Sequence, residues 1–164
     1  MAAVPSIWFE GNAEEAMNFY ADTFPNSKVL GIERYAGDQG IPGEKELKGK
    51  VLNGSFGIDG TRFFCLDGPS GIFQTAGGNI SFTVEFDDQV ALDKVWDALM
   101  DGGKPQQCGW ITDRFGITWQ IIPKALGEFM TNGTPAQKQA VMQCMMPMVK
   151  MEIAPLEAAY KAAA

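Results

Sequence analysis

Asn79-Ile80-Ser81-Phe82-Thr83-Val84-Glu85-Phe86 alternates without a break, apolar at Ile80, Phe82, Val84 and Phe86 and polar at the four positions between. A period of two puts each set on its own side of a sheet, so the stretch predicts a half-buried strand with an unusually polar second face. Asp87-Asp88 then suits a helix N-terminus. Ala91, Leu92, Val95, Trp96 and Leu99 follow at helical spacing, and Gly102-Gly103 ends the run. Short strands are expected near 106–113 and 117–123, flanking the turn Arg114-Phe115-Gly116.

The same order is already written upstream. Residues 5–9 read as a short strand, with Asn12 as N-cap and Glu15, three residues on, as its capping-box partner. Ala16, Met17, Phe19, Tyr20 and Phe24 give a helix an apolar face, and Pro25 stops it. Strands are expected near 28–35, 50–58 and 61–67, the last two joined by the hairpin signal Asp59-Gly60. Gly37 to Gly49 is the longest loop, and Gly68 to Gly78 reads as a linker. Setting Asn12 against Asp88 aligns Ala16 with Leu92, Phe19 with Val95 and Tyr20 with Trp96. Periodicity alone leaves two readings open, a duplication and a chance recurrence of strand–helix units.

After Pro123 the character changes. Thr134-Pro135 is a good N-cap and N1 pair for a helix carrying Met142, Met145 and Met146, which Pro147 kinks or ends. Met148 and Met151 follow, and Pro155 to Ala164 reads as a last short helix. The expected organisation is two modules, about 5–67 and 79–123, joined by a linker at 68–78, then a C-terminal helical extension at 124–164. The methionines read as packing against the sheet or a second subunit, or as an adaptable binding surface.

Composition bounds the chemistry. The chain has 164 residues, 46% of them hydrophobic and 20% charged, which is globular composition large enough to fold without disulfides or metal. With 13 basic and 20 acidic residues the net charge is -7, so nucleic acid and anionic membrane surfaces are poor partners. There are no histidines, which removes Ser-His-Asp and Cys-His catalysis and His-based zinc sites. Cys65, Cys108 and Cys144 are far apart and odd in number, as expected of reduced thiols in a cytoplasmic protein. Met1 to Pro5 has no basic stretch or long apolar run, so neither a signal peptide nor a transmembrane segment is expected.

Two separated motifs carry a resemblance. They are Gly109-Trp110-Ile111-Thr112-Asp113-Arg114-Phe115-Gly116-Ile117-Thr118-Trp119-Gln120-Ile121-Ile122-Pro123 and Phe9-Glu10-Gly11-Asn12-Ala13-Glu14-Glu15-Ala16-Met17-Asn18-Phe19-Tyr20. Together they resemble the PhnB-like branch of the vicinal oxygen chelate superfamily, which includes glyoxalase I, bleomycin-resistance proteins and extradiol dioxygenases. The likeness covers residues 5–123 and extends loosely to the run from Ile153 to Tyr160. It implies an α+β fold of paired βαβββ modules, the glyoxalase/bleomycin-resistance/dioxygenase-like fold, curled around a pocket. It also implies pairing of the modules within one chain or by exchange between two; with exposed sheet edges to cover and an apolar Met-rich tail, a homodimer is expected.

In metal-using relatives four strand positions hold a divalent ion, mostly through His and Glu. The resemblance carries them to Pro5 or Ser6, to Phe64 or Cys65, to Asn79 and to Gln120. Neutral amides, a hydroxyl and at best one thiol are poor ligands for a dication, so no metal and no other cofactor is expected. Asp67 and Glu85 lie nearby in sequence and leave a weaker metal site as the alternative.

What remains is a polar, mostly uncharged face. Asn79, Ser81, Thr83, Thr118 and Gln120 share it if the strands pair as the resemblance implies, and such groups suit a neutral or zwitterionic small molecule. They equally suit mutual hydrogen bonding across a sheet. Trp8 is a candidate pocket wall, as is Phe63 or Phe64. Cys65 is a candidate contact without a histidine to activate it, and Trp119 is expected to turn into the helix-packed core. Arg114, beside Asp113, Trp110 and Phe115, reads as an anion clamp or as half of a turn-fixing pair.

Three functions compete. The first is a metal-independent small-molecule-binding protein of the PhnB-like class whose specific activity, if any, has no catalytic residues assigned. The second is a metal-assisted lyase, isomerase or dioxygenase of the glyoxalase type. The third, a partner-binding module, rests on the Met-rich tail alone. A methyltransferase description attached to some of this branch finds no support, because no Gly-rich strand–turn–helix cradle for a methyl donor follows any strand.

Overall fold

Ile7 and Phe9 turn to one side of strand β1 (Ser6–Phe9) and are buried, while Ser6 and Trp8 turn to the other. That alternation recurs in both units of the chain. The computed structural model describes residues 4–37, 45–69 and 80–164, which divide between the compact units Met1–Thr75 and Ala76–Ala164.

In the first unit β1 is followed by α1 (Ala13–Thr23), β2 (Lys28–Arg34), β3 (Val51–Ile58) and β4 (Thr61–Asp67). The sheet order is β1-β4-β3-β2, with β1 parallel to β4 and the other pairs antiparallel. Ala16, Met17 and Tyr20 recur at helical spacing and bury against the sheet, where Tyr20 lies 5.5 Å from Phe56 and Phe56 stacks on Phe63 at 5.0 Å. Each fully buried side chain of this size contributes roughly 1.5–3 kcal/mol. The Asp59-Gly60 turn has both residues at positive φ, 42° and 83°, which matches the right-handed twist of the strands it joins.

The start of α1 corrects the expected capping box. Asn12 occupies the N-cap, but its side chain makes no capping bond. Asp67, at the far end of β4, takes over: Oδ1 accepts from the Gly11 and Ala13 amides at 2.9 Å each, and Oδ2 accepts from Val51 N at 2.9 Å. A buried carboxylate meeting three backbone donors satisfies itself and ties β4, β3 and the helix start together.

The second unit repeats the connectivity. Strand β5 (Phe82–Phe86), α2 (Gln89–Leu99), β6 (Lys104–Pro105), β7 (Trp110–Thr112) and β8 (Thr118–Pro123) form a sheet in the order β5-β8-β7-β6. Again the first strand runs parallel to the fourth. Asp88 caps α2 through Ala91 N at 2.9 Å, and Leu92, Val95, Trp96 and Leu99 bury against the sheet. Of the strand expected near 106–113 only β7 forms, and β6 lies just ahead of that range. Lys104 and Pro105 pair with Thr112 and Ile111, and the chain turns between them at Cys108 and Gly109, with φ 60° and 79°. A Cβ at Gly109 would sit 2.6 Å from the Ile121 carbonyl oxygen, so this approach requires glycine.

Helix α3 (Lys124–Asn132), unexpected from the sequence, follows β8 directly. Helix α4 (Pro135–Met145) opens on a full capping box between Thr134 and Gln137 and ends before Pro147, and α5 (Ile153–Ala162) closes the chain. The segment between them is tied to the sheet unit: the Cys108 and Gly109 amides donate to the Met148 and Val149 carbonyls at 2.8 Å each. Gln89, in the first turn of α2, donates to the Met151 carbonyl and accepts from Ile153 N. Met151 is buried while Met146 is exposed, so packing accounts for part of the methionine run. Among the described residues no helix is long and apolar enough to cross a membrane.

Candidate functional site

Period-two alternation divides the second sheet. Phe82, Val84, Phe86, Trp119, Ile121 and Pro123 turn toward the helix side, with Trp119 and Ile121 fully buried, and Phe82 lies 5.4 Å from Trp119. Thr83, Glu85, Thr118, Gln120, Trp110 and Thr112 turn to the opposite, open face. Strand register sets Trp110, Gln120 and Thr83 abreast across β7, β8 and β5.

Hydrogen bonds tie this face into two short chains. Gln120 Nε2 donates to Ser81 Oγ at 2.8 Å. Two residues along each strand, the Thr112 and Thr118 hydroxyls meet at 3.2 Å, and Gln106 Nε2 donates to Thr112 Oγ1 at 3.1 Å. Gln120 is half-buried, and among the described residues its side-chain carbonyl accepts no hydrogen bond. The face therefore offers a fixed amide with acceptor capacity to spare, flanked by hydroxyls that donate or accept.

Of the sequence candidates, Ser81, Thr83, Thr118 and Gln120 come together here, and Asn79 lies outside the described residues. Thr112 and Gln106 join them and were not singled out. The signal for Thr112 was in the sequence: Trp110-Ile111-Thr112 alternates, and its threonine falls in step with Thr118. Arg114 is exposed at the turn before β8, paired with Asp101 at 2.8 Å and resting 5.0 Å over the Phe115 ring. The turn is held by Asp113 instead. Its Oδ1 accepts from the Phe115 and Ile117 amides, and its Oδ2 accepts from Trp119 Nε1 at 2.8 Å.

Trp8 and Cys65 belong to the first unit, on opposite sides of its sheet. Trp8 is half-buried on the open side, with its ring against Gly68. Cys65 faces the helix side, where a Cβ on Gly54 would lie 2.7 Å from its Sγ and 3.0 Å from Met17. Burial, with Asp67 nearby, pushes this thiol up to about 12, far from a nucleophile's range. Phe63 turns to the same helix side and Phe64 to the open one.

The positions that the resemblance assigns to a divalent ion do not fit one. Ser6 pairs with Phe64 across β1 and β4, Cys65 points away from that face, and Gln120 offers an amide. Both Asp67 oxygens are engaged by backbone amides, and Glu85 is a single exposed carboxylate paired across the strands with Ile122. Among the described residues no three His, Cys, Asp or Glu side chains gather in one place. A hydroxyl, a phenyl ring and an amide do not balance a dication.

A cleft of about 340 Å³ at the head of α1 is lined by Asn12, Glu14, Glu15, Lys50 and Asp67 among others, but its charges serve the fold. Lys50 Nζ donates to the Gly11 carbonyl at 2.7 Å. Arg34 pairs with Glu14 at 2.7 Å and holds that carboxyl below its usual range.

Residues 1–122 match the family described as 3-demethylubiquinone-9 3-methyltransferase. The chain belongs to this family. Among solved structures it is similar to the PhnB protein of Bacillus cereus, 29% identical over 74% of this chain and 99% of that one, with a TM-score of 0.61. A protein from Pseudomonas aeruginosa is 22% identical, covering 73% of this chain and 94% of that one at a TM-score of 0.60. A gene product of Arabidopsis thaliana is 21% identical over 74% of this chain and 97% of that one, at 0.52. These likenesses bear out the PhnB-like family and the α+β glyoxalase/bleomycin-resistance fold. No curated protein matches the sequence.

Proposed function

We propose that this family member is a metal-independent small-molecule-binding protein whose ligand is neutral or zwitterionic and lies on the open face of the second sheet. The observation that carries the reading is the Gln120 amide, fixed by Ser81 at 2.8 Å, its carbonyl without a partner among the described residues and set among threonine hydroxyls. A fixed amide beside hydroxyls selects by hydrogen-bond pattern, while Trp110 and Ile122 supply apolar surface. Asn79 is a further proposed contact.

The family's description names methyl transfer, and the residues favour binding instead. A nucleotide-type methyl donor sits on a Gly-rich turn between a strand and a helix of a parallel sheet. The two described sheets are mixed, and their strand–helix turns run Glu10-Gly11-Asn12 and Asp87-Asp88. Titration with S-adenosylmethionine at millimolar concentration should release no binding heat, and near-equimolar zinc, nickel, manganese or iron after mild purification would defeat metal independence.

A cytoplasmic homodimer completes the proposal. Among the described residues β1 and β2 edge one sheet and β5 and β6 the other, Leu30 and Val149 are exposed apolar side chains, and two-fold pairing is the commonest way to cover such surface. Light scattering at micromolar concentration should give twice 17.8 kDa, and a stable monomer would refute the dimer.

A further inference from the structure

The chain has three arginines, and two of them are paired: Arg34 with Glu14 and Arg114 with Asp101, each at 2.7–2.8 Å. Arg62 differs. It is exposed on the open side of the first sheet with its guanidinium carbon 4.9 Å over the Phe64 ring, and among the described residues it has no carboxylate partner. In a chain with 20 acidic residues against 13 basic ones, a guanidinium without a carboxylate is the exception.

The surroundings are built for something to approach it. Residues 62, 64 and 66 alternate onto the open face, so Arg62, Phe64 and Leu66 form a column on β4. The strand neighbour of Arg62 on β3 is Gly57, which puts no side chain beside the guanidinium. Ser55 and Ser6 flank Phe64 on β3 and β1, and neither hydroxyl has a partner among the described residues. Arg62 and Ser55 are diagonal neighbours, which places their Cα atoms about 7–8 Å apart, within reach of a long side chain. Stacking on a ring uses the guanidinium's flat face. Its in-plane N–H groups stay directed outward in the fork that matches two oxygens of one anion.

We propose that Arg62, seated on Phe64 and flanked by Ser55 and Ser6, binds the carboxylate or phosphonate head of a small organic anion whose apolar body lies on Phe64 and Leu66. All of its residues lie in the first unit. The guanidinium supplies charge and two-point geometry, the serines donate to remaining oxygen lone pairs, and the ring column excludes water from one side.

Amide chemical shifts of the full chain, titrated with benzoate, phenylphosphonate, neutral benzamide and inorganic phosphate, test this directly. Saturable shifts at Ser6, Ser55, Arg62 and Phe64 are expected with both aromatic anions and not with benzamide, and phosphate alone should bind more weakly because it lacks the apolar body. Arg62→Gln should weaken the anions by about tenfold, and Arg62→Lys, which keeps the charge but loses the fork, by a smaller factor. Equal binding by wild type and Arg62→Gln would overturn the site. So would shifts that cluster elsewhere, or phosphate binding as tightly as the aromatic anions.

Discussion

The Trp119 indole N–H donates to the Asp113 carboxylate at 2.8 Å, with both residues buried, and this bond couples the turn before β8 to the core beneath the polar face. Because the same carboxylate also accepts the Phe115 and Ile117 amides, it sets where β8 begins and therefore which residues, Thr118 and Gln120, face outward. Asp113→Ala is expected to cost about 2–4 kcal/mol in urea unfolding, since three donors lose their acceptor and one of them is buried. Arg114→Ala, which breaks only an exposed pair with Asp101, should cost about 0–1 kcal/mol. Equal losses for the two variants would show that the pair, not the carboxylate, holds the turn.

Cys65 should be the protected thiol. In native protein at pH 8, Ellman's reagent is expected to titrate Cys108 and Cys144, which are half-buried, and to reach Cys65 only after unfolding. The same burial gives a pH dependence. The folded thiol is raised from its ordinary 9.0 to about 12, so its contribution to stability is complete below about pH 9 and is lost as pH rises toward 12. Cys65→Ala should remove that part of the alkaline slope, whereas Cys144→Ala should leave it unchanged.

Gly68 keeps room for Trp8. A Cβ at residue 68 would run into the indole ring, so Gly68→Ala must displace a candidate ligand-contact residue. The single variant is expected to lose about 1–3 kcal/mol, and combining it with Trp8→Leu should recover most of that, a coupling of at least about 1 kcal/mol. Simple additivity of the two changes would place the ring elsewhere.

Much of this arrangement was legible in the sequence, and most of the exceptions share a cause. Local signals held: Asp88 caps α2, Thr134-Pro135 opens α4, Asp59-Gly60 turns the hairpin, and Trp119 alternates into the core opposite Gln120. Setting Asn12 against Asp88 does align two helix N-caps, and the two units share one strand order. What failed depends on partners distant in sequence. Asn12 does not cap α1 with its side chain because Asp67, on the last strand of the unit, already holds the Gly11 and Ala13 amides. Helix α3 is a local exception: Leu126, Phe129 and Met130 recur at helical spacing, but Gly127, a poor helix former, interrupts the pattern. The split of β6 from β7 follows from the close approach of Gly109 to Ile121 and Met151. Arg62 drew no notice because a lone arginine in a strand has no pattern; its meaning comes from the Phe64 ring and from Gly57 across the hairpin.

The central claim is that the Gln120 face binds an uncharged or zwitterionic ligand without a metal. The most direct measurement is an amide-shift screen of neutral and zwitterionic fragments against the full chain in EDTA, repeated with Gln120→Leu. Saturable shifts clustered at Ser81, Thr83, Thr112, Thr118 and Gln120 are expected in EDTA, with their loss in the variant. Shifts on this face that appear only after manganese, nickel or zinc is added, or fragments that bind Gln120→Leu as well as wild type, would contradict it.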